Sequence, residues 1–201
     1  MKKIFIVGCA AFLMLVTAGC SKVDKKMANE APVCKKIEFH IEWSNLSSDI
    51  TNNLTITASG KDFNDVSFNE PIAEEAGAIS FVKENVNIDN IGDNCPFTYK
   101  ITVENRGESG DESEAEYSPK FKMQVYAVFR DAEGNALRTN SAGETKDIIV
   151  DADYTNSDKI RGFEKFKNFV DRHIGSEERT YVFFRGQNSA TGGYFFSHSS
   201  K

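Results

Sequence analysis

The chain has 201 residues, of which 24 are Lys or Arg and 30 are Asp or Glu, so its formal net charge at pH 7 is −6. This acidic balance argues against nucleic acid as a partner, because binding to nucleic acid needs a basic surface. The length suits one domain with a substantial hydrophobic core, and no internal repeat is evident.

The first 19 residues have the pattern of a signal peptide. Lys2 and Lys3 make a short positive region, and the apolar run that follows, IFIVGCAAFLMLVT, is too short to cross a bilayer comfortably as a mature helix. Its removal takes away two lysines and no acidic residue, which leaves 22 basic and 30 acidic residues and a net charge near −8.

The residues around Cys20 carry a sorting signal. Ala18 and Gly19 directly before Cys20 resemble the lipobox of bacterial lipoproteins, although Thr17 stands where that family usually has leucine. The resemblance covers only residues 1–22 and implies that Cys20 is acylated and anchors the mature protein in a membrane. In this family an aspartate directly after the cysteine retains the protein in the inner membrane. Ser21 at that position implies delivery to the bacterial outer membrane, and it leaves open which side of that membrane the domain faces. An ordinary secretory peptide cut at an A-x-A-like site is the alternative.

Two cysteines remain in the mature chain besides Cys20. Cys34 and Cys95 are an even pair in an oxidising compartment, so a disulfide between them is expected. It would close a loop of about 60 residues, worth roughly 4 kcal/mol in the chain-entropy model. A metal site is the alternative, but neither cysteine has another Cys or a His nearby at usable spacing.

The rest of the chain divides into a tether and one domain. Residues 20–33 are polar and without periodicity, which predicts a flexible lipidated tether, and residues 34–201 are predicted to form a single β-rich domain. Alternation of apolar and polar residues predicts strands at 37–43, 54–58, 97–103 and 121–129, with weaker strands at 63–68, 79–88, 136–141 and 146–152. Gly134 and Asn135 suit a short hairpin loop. This spacing predicts an antiparallel, immunoglobulin-like β-sandwich.

One segment has the period of a helix. Ile160, Phe163, Phe166, Val170 and Ile174 recur every three or four residues, which predicts an amphipathic helix over about 157–174, packed near the C-terminal strands. Thr155 or Ser157 is the expected cap, and Gly175 is the expected end.

The C-terminal strands contain adjacent aromatic residues. Phe183 and Phe184 must point to opposite faces of a strand, and so must Phe195 and Phe196. We expect the helix to cover one face and the opposing sheet the other. The alternative is an exposed aromatic strip that contacts a ligand or partner.

No catalytic set emerges from the motifs. Ser80 and Lys83 have the spacing of a serine acyltransferase pair, but the companion motifs SDN and KTG are absent, so we attribute the spacing to chance. The histidines, His40, His173 and His198, are each interpreted as surface residues rather than bases or ligands. No catalytic residue and no cofactor is therefore assigned, and the protein is more simply explained as a non-enzyme.

Two acidic segments are candidate contact sites. Asp151, Asp153 and Asp158 lie in a loop-like stretch that lacks the glycine and glutamate of an EF-hand, so they are weak metal candidates beside a solvated loop. The stretch 106–119 is acidic and lacks apolar anchors, which predicts a mobile loop. Its residues available for contact with a basic partner or a cation are Asp111, Glu112, Glu114 and Glu116.

These features favour a non-catalytic, membrane-anchored envelope lipoprotein that binds another envelope protein or an extracellular ligand. One alternative is an envelope hydrolase whose active-site groups come from separate strands, which a cluster of His40 with acidic and serine side chains in a concave pocket would favour. The other is a surface adhesin or fimbria-associated subunit, by analogy of fold alone.

Overall fold

The computed structural model describes residues 31–86, 88, 95–107, 114–140, 142–156, 158–175 and 177–201. Pro32–Lys201 form one compact unit. The predicted signal peptide, Cys20 and the tether as far as residue 30 lie outside the described residues, as do Asp111 and Glu112. Among the residues described, no helix combines the length and apolar character needed to span a membrane.

The described residues of the unit form two antiparallel sheets, a short ribbon and two helices. The strands are β1 (Lys36–Ser44), β2 (Leu54–Lys61), β3 (Ser67–Ile72), β4 (Gly77–Glu84), β5 (Cys95–Asn105), β6 (Glu116–Tyr117), β7 (Lys122–Arg130), β8 (Asp147–Asp153), β9 (Ile160–Arg161), β10 (Arg179–Gln187) and β11 (Tyr194–Ser200). The helices are α1 (Ser48–Asn53) and α2 (Phe163–Ile174). The four-stranded sheet has the order β4, β1, β7, β8, the five-stranded sheet has the order β11, β10, β5, β2, β3, and β6 pairs with β9.

The core lies between the two sheets and is rich in aromatic side chains. Alternate residues of β1 are buried, as the period-two pattern predicts. Phe39 of β1 stacks on Phe97 of β5 with ring centroids 4.0 Å apart, and Phe183 of β10 meets Phe39 edge-on at 6.3 Å. Each such ring contributes about 1.5–3 kcal/mol through burial. The predicted antiparallel β-sandwich is therefore confirmed.

The strongly alternating segments all form strands, whereas two of the weaker ones do not follow the prediction. Strand β3 begins only at Ser67, because the Asp62 carboxylate accepts hydrogen bonds from the backbone of Asn64 and Val66 and closes a turn there. The predicted strand at 136–141 is wrong in its described residues. An isolated bridge joins Arg130 to Ala136, and the Thr139 hydroxyl then bonds two backbone carbonyls of the following loop.

Helix α2 begins later than predicted. Ile160 lies in β9, and Gly162 has a φ of 88°, which no helical residue adopts, so the helix starts at Phe163 rather than near 157. The expected capping role of Thr155 is therefore wrong, since the N-cap is Gly162, and Ser157 lies outside the described residues. The helix ends before Gly175, as expected, and packs on β5 and β8, one strand from each sheet.

Helix α1 is absent from the predictions. It has six residues and only Ile50 is buried, so it is too short to show an apolar period. The backbone N–H of Ser118 donates to the Asp49 carboxylate at 2.6 Å, which ties this helix to the segment before β7.

The adjacent phenylalanines point to opposite faces, as predicted. Phe183 and Phe196 are fully buried in the core, whereas Phe184 and Phe195 are half-buried on the outer face of the five-stranded sheet. Phe195 lies so close to Gly186 that no side chain fits between them. The aromatic pairs are thus shared between core and outer face.

The sandwich has two distinct ends. At the entry end, defined by Pro32–Lys36, the Lys35 N–H donates to Arg130 O at 2.8 Å and an Arg185 guanidinium nitrogen donates to Pro32 O at 3.3 Å. The far end is where β1 finishes, at Trp43 and Ser44. Nine residues of strand separate the ends by about 26 Å.

Candidate functional site

The outer face of the four-stranded sheet carries ordered rows of polar side chains. Two neighbouring rows, set by the pairing of β4, β1 and β7, are Ala78, Glu42, Gln124 and then Ser80, His40, Tyr126. Alternation in β1 and β7 places these residues outward, and the strand register brings them side by side.

An open cleft of about 500 Å³ lies at the far end of this face. Its polar lining consists of Glu42, Ser44, Lys122 and Gln124, and Trp43 also borders it. The volume falls within the range of small-ligand sites, which use few polar groups on a largely preformed surface.

Small residues make room for this cleft. Its wall on the β4 side is Ala76, Gly77 and Ala78, and Gly77 lies directly against the Trp43 ring, where a Cβ atom would overlap it. The Trp43 indole N–H donates to Glu74 O at 3.0 Å, which fixes the ring from the other end. Trp43 is only 8 % exposed, so its ring belongs to the core that supports this wall.

The polar groups of the cleft are held in place from the β8 side. Gln124 donates through Nε2 to the Asp151 carboxylate at 3.1 Å, and Lys122 Nζ lies 3.3 Å from the Asp153 carboxylate. These contacts use one donor of each side chain and leave the amide oxygen of Gln124 and further N–H groups of Lys122 for other partners.

Glu42 is positioned by Tyr126 and Lys146. The Tyr126 hydroxyl donates to the Glu42 carboxylate, and Lys146 Nζ lies 4.0 Å from the centroid of the Tyr126 ring. Burial and the hydrogen bond to Glu42 both raise the pKa of Tyr126, so it stays a protonated donor at neutral pH.

The next row contains a serine, a histidine and a glutamate in contact. Ser80 Oγ lies 2.8 Å from His40 Nδ1, and His40 Nε2 lies 3.7 Å from the Glu38 carboxylate. The His40 ring stacks on Tyr126 with centroids 4.8 Å apart. These residue types are those of a serine nucleophile, a base and an orienting acid.

The surroundings of this trio differ from those of a hydrolase site. It lies on the sheet face outside the lining of the cleft. The Glu38 carboxylate forms ion pairs with Lys36 and with Arg130, each at a distance of 2.9 Å. Burial alone would raise the pKa of Glu38, but the hydrogen bonds from these two cations outweigh it and hold the pKa below its usual value.

The Ser80 and Lys83 spacing does not bring those two side chains together. Lys83 lies on the other side of β4 and donates to the side-chain oxygen of Asn64 at 2.7 Å. This contact joins β4 to the turn before β3 of the other sheet.

The other two histidines have partners within the fold. His198 Nδ1 lies 2.7 Å from the Asp147 carboxylate, joining β11 to β8. His173 bonds the Tyr154 hydroxyl near the end of α2, and burial, followed by the neighbouring Arg172, lowers its pKa. Both side chains therefore connect elements of the sandwich.

The weak metal candidates are not brought together into one cluster. Asp151 and Asp153 lie on β8 beside Gln124 and Lys122, and Asp158 lies in the exposed segment before β9. Over the described parts of the chain, no three His, Cys, Asp or Glu side chains converge as a metal site would require.

The described part of the acidic stretch folds back on the chain. Glu116 bonds Lys159 at 2.9 Å and Arg161 at 3.3 Å, and Glu114 lies 3.8 Å from Arg161. The two basic residues hold the pKa of Glu116 below its usual value, the Lys159 hydrogen bond being the larger cause. These two acids thus have an internal partner in β9.

Cys34 and Cys95 both lie at the entry end, ahead of β1 and at the start of β5. Both carry thiols in the structure and no disulfide joins them, so the pairing stays a prediction. The pKa of the Cys34 thiol is raised to about 11, chiefly by burial and in part by the nearby Cys95.

The cleft residues were not singled out by sequence reasoning. Alternation places Glu42 and Gln124 on outward faces, but their adjacency depends on the pairing of β1 with β7. The short run Ala76, Gly77, Ala78 was the one local signal, since three small residues at a strand start leave space above it.

No protein-family model and no curated protein matches the chain.

Proposed function

We propose that this protein is a lipid-anchored binding module of the bacterial outer membrane, acylated at Cys20, which contacts an envelope protein or an extracellular ligand through the far end of its sandwich. The observation that carries the proposal is the open cleft at that end, lined by Glu42, Lys122 and Gln124, about 26 Å from the point where the chain enters the unit.

The position of the cleft suits an anchored protein. A tether of residues 20–33 reaches about 40 Å when extended and joins the domain at Pro32, so the domain can stand clear of the bilayer. The cleft lies at the end opposite this attachment, and its strand-borne side chains are held in place to meet a partner.

A disulfide between Cys34 and Cys95 is part of the same proposal. Its support is that both cysteines lie at the entry end, one leading into each sheet, and are near enough for Cys95 to raise the Cys34 pKa. The bond would fasten the two sheets together at the point where the tether pulls on the domain.

Site-specific photo-crosslinking in intact cells tests the binding function. A photoreactive residue at Ala78, in the cleft wall, should yield a defined crosslinked product, whereas one at Glu133, in the exposed turn at the entry end, should not. Recovery of the protein alone from both positions, or equal products at both, would contradict binding through the far end.

The contact of Ser80 with His40 favours one second candidate, an envelope hydrolase. Proton transfer from Ser80 Oγ to His40 Nδ1 would produce the alkoxide nucleophile, with Glu38 stabilising the imidazolium. A fluorophosphonate probe distinguishes the two candidates. Labelling that Ser80→Ala and His40→Gln both abolish would establish the hydrolase, and a chain that stays unlabelled supports the binding module.

A further inference from the structure

The chemistry of the cleft indicates what it binds. Its lining offers carboxylate and amide acceptors from Glu42 and Gln124 and donors from Lys122 and Ser44. We propose that the cleft binds an uncharged, hydroxyl-rich glycan chain, an inference that rests on the binding function proposed above.

Sugar hydroxyls match this mixture because each one donates and accepts a hydrogen bond. The Glu42 carboxylate and the Gln124 amide oxygen accept from hydroxyls, and the Lys122 ammonium donates to them. Pairing with Tyr126 and Asp151 pre-orients Glu42 and Gln124, which lowers the entropic cost of binding.

The shape of the cleft suits a chain rather than a single sugar. β4 is an edge strand of the four-stranded sheet, so the wall formed by Ala76, Gly77 and Ala78 lies at the border of the face. Because these side chains are small, a ligand seated in the cleft can continue past the edge without a steric barrier.

Local charge selects against anions. Glu42 lines the cleft and Asp151 and Asp153 stand on the adjacent strand, which makes three acidic residues against two lysines, Lys122 in the lining and Lys146 at 3.9 Å from Glu42. A phosphate, sulfate or carboxylate group on the ligand would meet more negative than positive charge, so the preferred glycan is neutral.

The test uses the full-length lipoprotein purified in detergent and a panel of defined neutral oligosaccharides of hexoses and N-acetylhexosamines. Binding is measured first on a printed array and then by calorimetry for the oligosaccharides retained. The expected result is specific binding of at least one neutral oligosaccharide and weaker binding of its sulfated derivative.

Two matched variants on the same strand locate the site. Ala78→Phe fills the cleft and should weaken binding by about tenfold or more, whereas Val82→Phe, on the same face but outside the cleft, should leave affinity within about twofold. Gln124→Ala removes a hydrogen-bonding group without adding bulk and should weaken binding about three- to tenfold. Thermal unfolding of each variant shows that the fold is kept.

No binding of any neutral oligosaccharide at millimolar concentration would overturn the glycan assignment, and so would equal loss in Ala78→Phe and Val82→Phe. A crosslinked protein partner at Ala78 in cells, together with no glycan binding, would leave the binding function standing and refute only the ligand class. Absence of both would refute both proposals.

Discussion

Gly77 is the partner of Trp43 in the pairing of β4 with β1, and it lies directly against the indole ring. A Cβ atom on Gly77 would overlap that ring. The indole N–H is held by Glu74 O in the turn just before β4. The glycine, the ring and the turn are therefore one packed unit, and Gly77 and Trp43 both border the far-end cleft.

Replacing Gly77 with alanine should destabilise the protein, because the new Cβ must push the Trp43 ring out of its position. Overpacking of this kind costs about 1–3 kcal/mol. Urea unfolding followed by tryptophan fluorescence measures it, since Trp43 is the single tryptophan. Gly107→Ala is the control, because nothing lies within 4 Å of a Cβ added there. Equal stability of the two variants would show that the indole is not confined.

Glu38 should make the folded state sensitive to acid. Its pKa is held below the ordinary 4.5 by Lys36 and Arg130 against the opposing effect of burial, so its ionised form stabilises the fold. That contribution is complete above about pH 4.5 and is lost as the pH falls through the depressed pKa. Glu38→Gln should therefore be less stable at pH 7 and should approach the wild type in acid.

A double-mutant cycle isolates the contact behind this effect. Glu38→Gln, Arg130→Gln and the double variant, unfolded in urea at pH 7 and at about pH 3, should give a coupling of about 1 kcal/mol at pH 7 and much less in acid. A coupling that does not change with pH would show that the ion pair is not its source.

The two entry-end cysteines should be oxidised in the exported protein. Cys34→Ser, Cys95→Ser and chemical reduction should each lower stability, by roughly 4 kcal/mol in the chain-entropy model, and reduction should have no further effect on either variant. Mass spectrometry after alkylation of unfolded, unreduced protein counts the thiols directly. Two alkylated residues at these positions would exclude the disulfide. After reduction, folded Cys34 should alkylate slowly, because burial raises its pKa to about 11.

Cys20→Ser should release the protein from the membrane. Several acyl chains on one residue make attachment effectively permanent, at about 0.8 kcal/mol per buried methylene group, and serine cannot carry the thioether. Fractionation of cells and metabolic labelling with palmitate measure the change. Cys9→Ser, in the predicted signal peptide, is the matched control and should leave labelling intact. Persistence of palmitate in Cys20→Ser would place the lipid elsewhere.

Alternation was sufficient to locate the strands that have one buried face. β1, β2, β5 and β7 were predicted because a strand with one side in the core must repeat every two residues, whatever lies opposite. The same reasoning located the apolar face of α2, whose Phe166, Val170 and Ile174 are buried. Its start was misplaced because Ile160 fits the helical period although β6 pairs with that segment and Gly162 turns the chain.

The candidate site depended on information that lies between segments. Glu42, Gln124 and Gly77 are separated by tens of residues and belong to three strands, and only the register of β1 with β4 and β7 makes them neighbours. The contact of Ser80 with His40 depends on the same register. The ion pairs of Glu116 with Lys159 and Arg161 also join distant segments, so the sequence of the acidic stretch alone did not predict them.

Local chemistry along the chain thus specified the predicted export signal, the class of the fold and the outward-facing side of each strong strand, because each depends on residues close in sequence. Tertiary structure decided the pairing order of the strands, the packing of Gly77 against Trp43 and the cleft at the far end. They arise from contacts between distant segments, and a one-residue change of register would have sent each of those side chains to the opposite face.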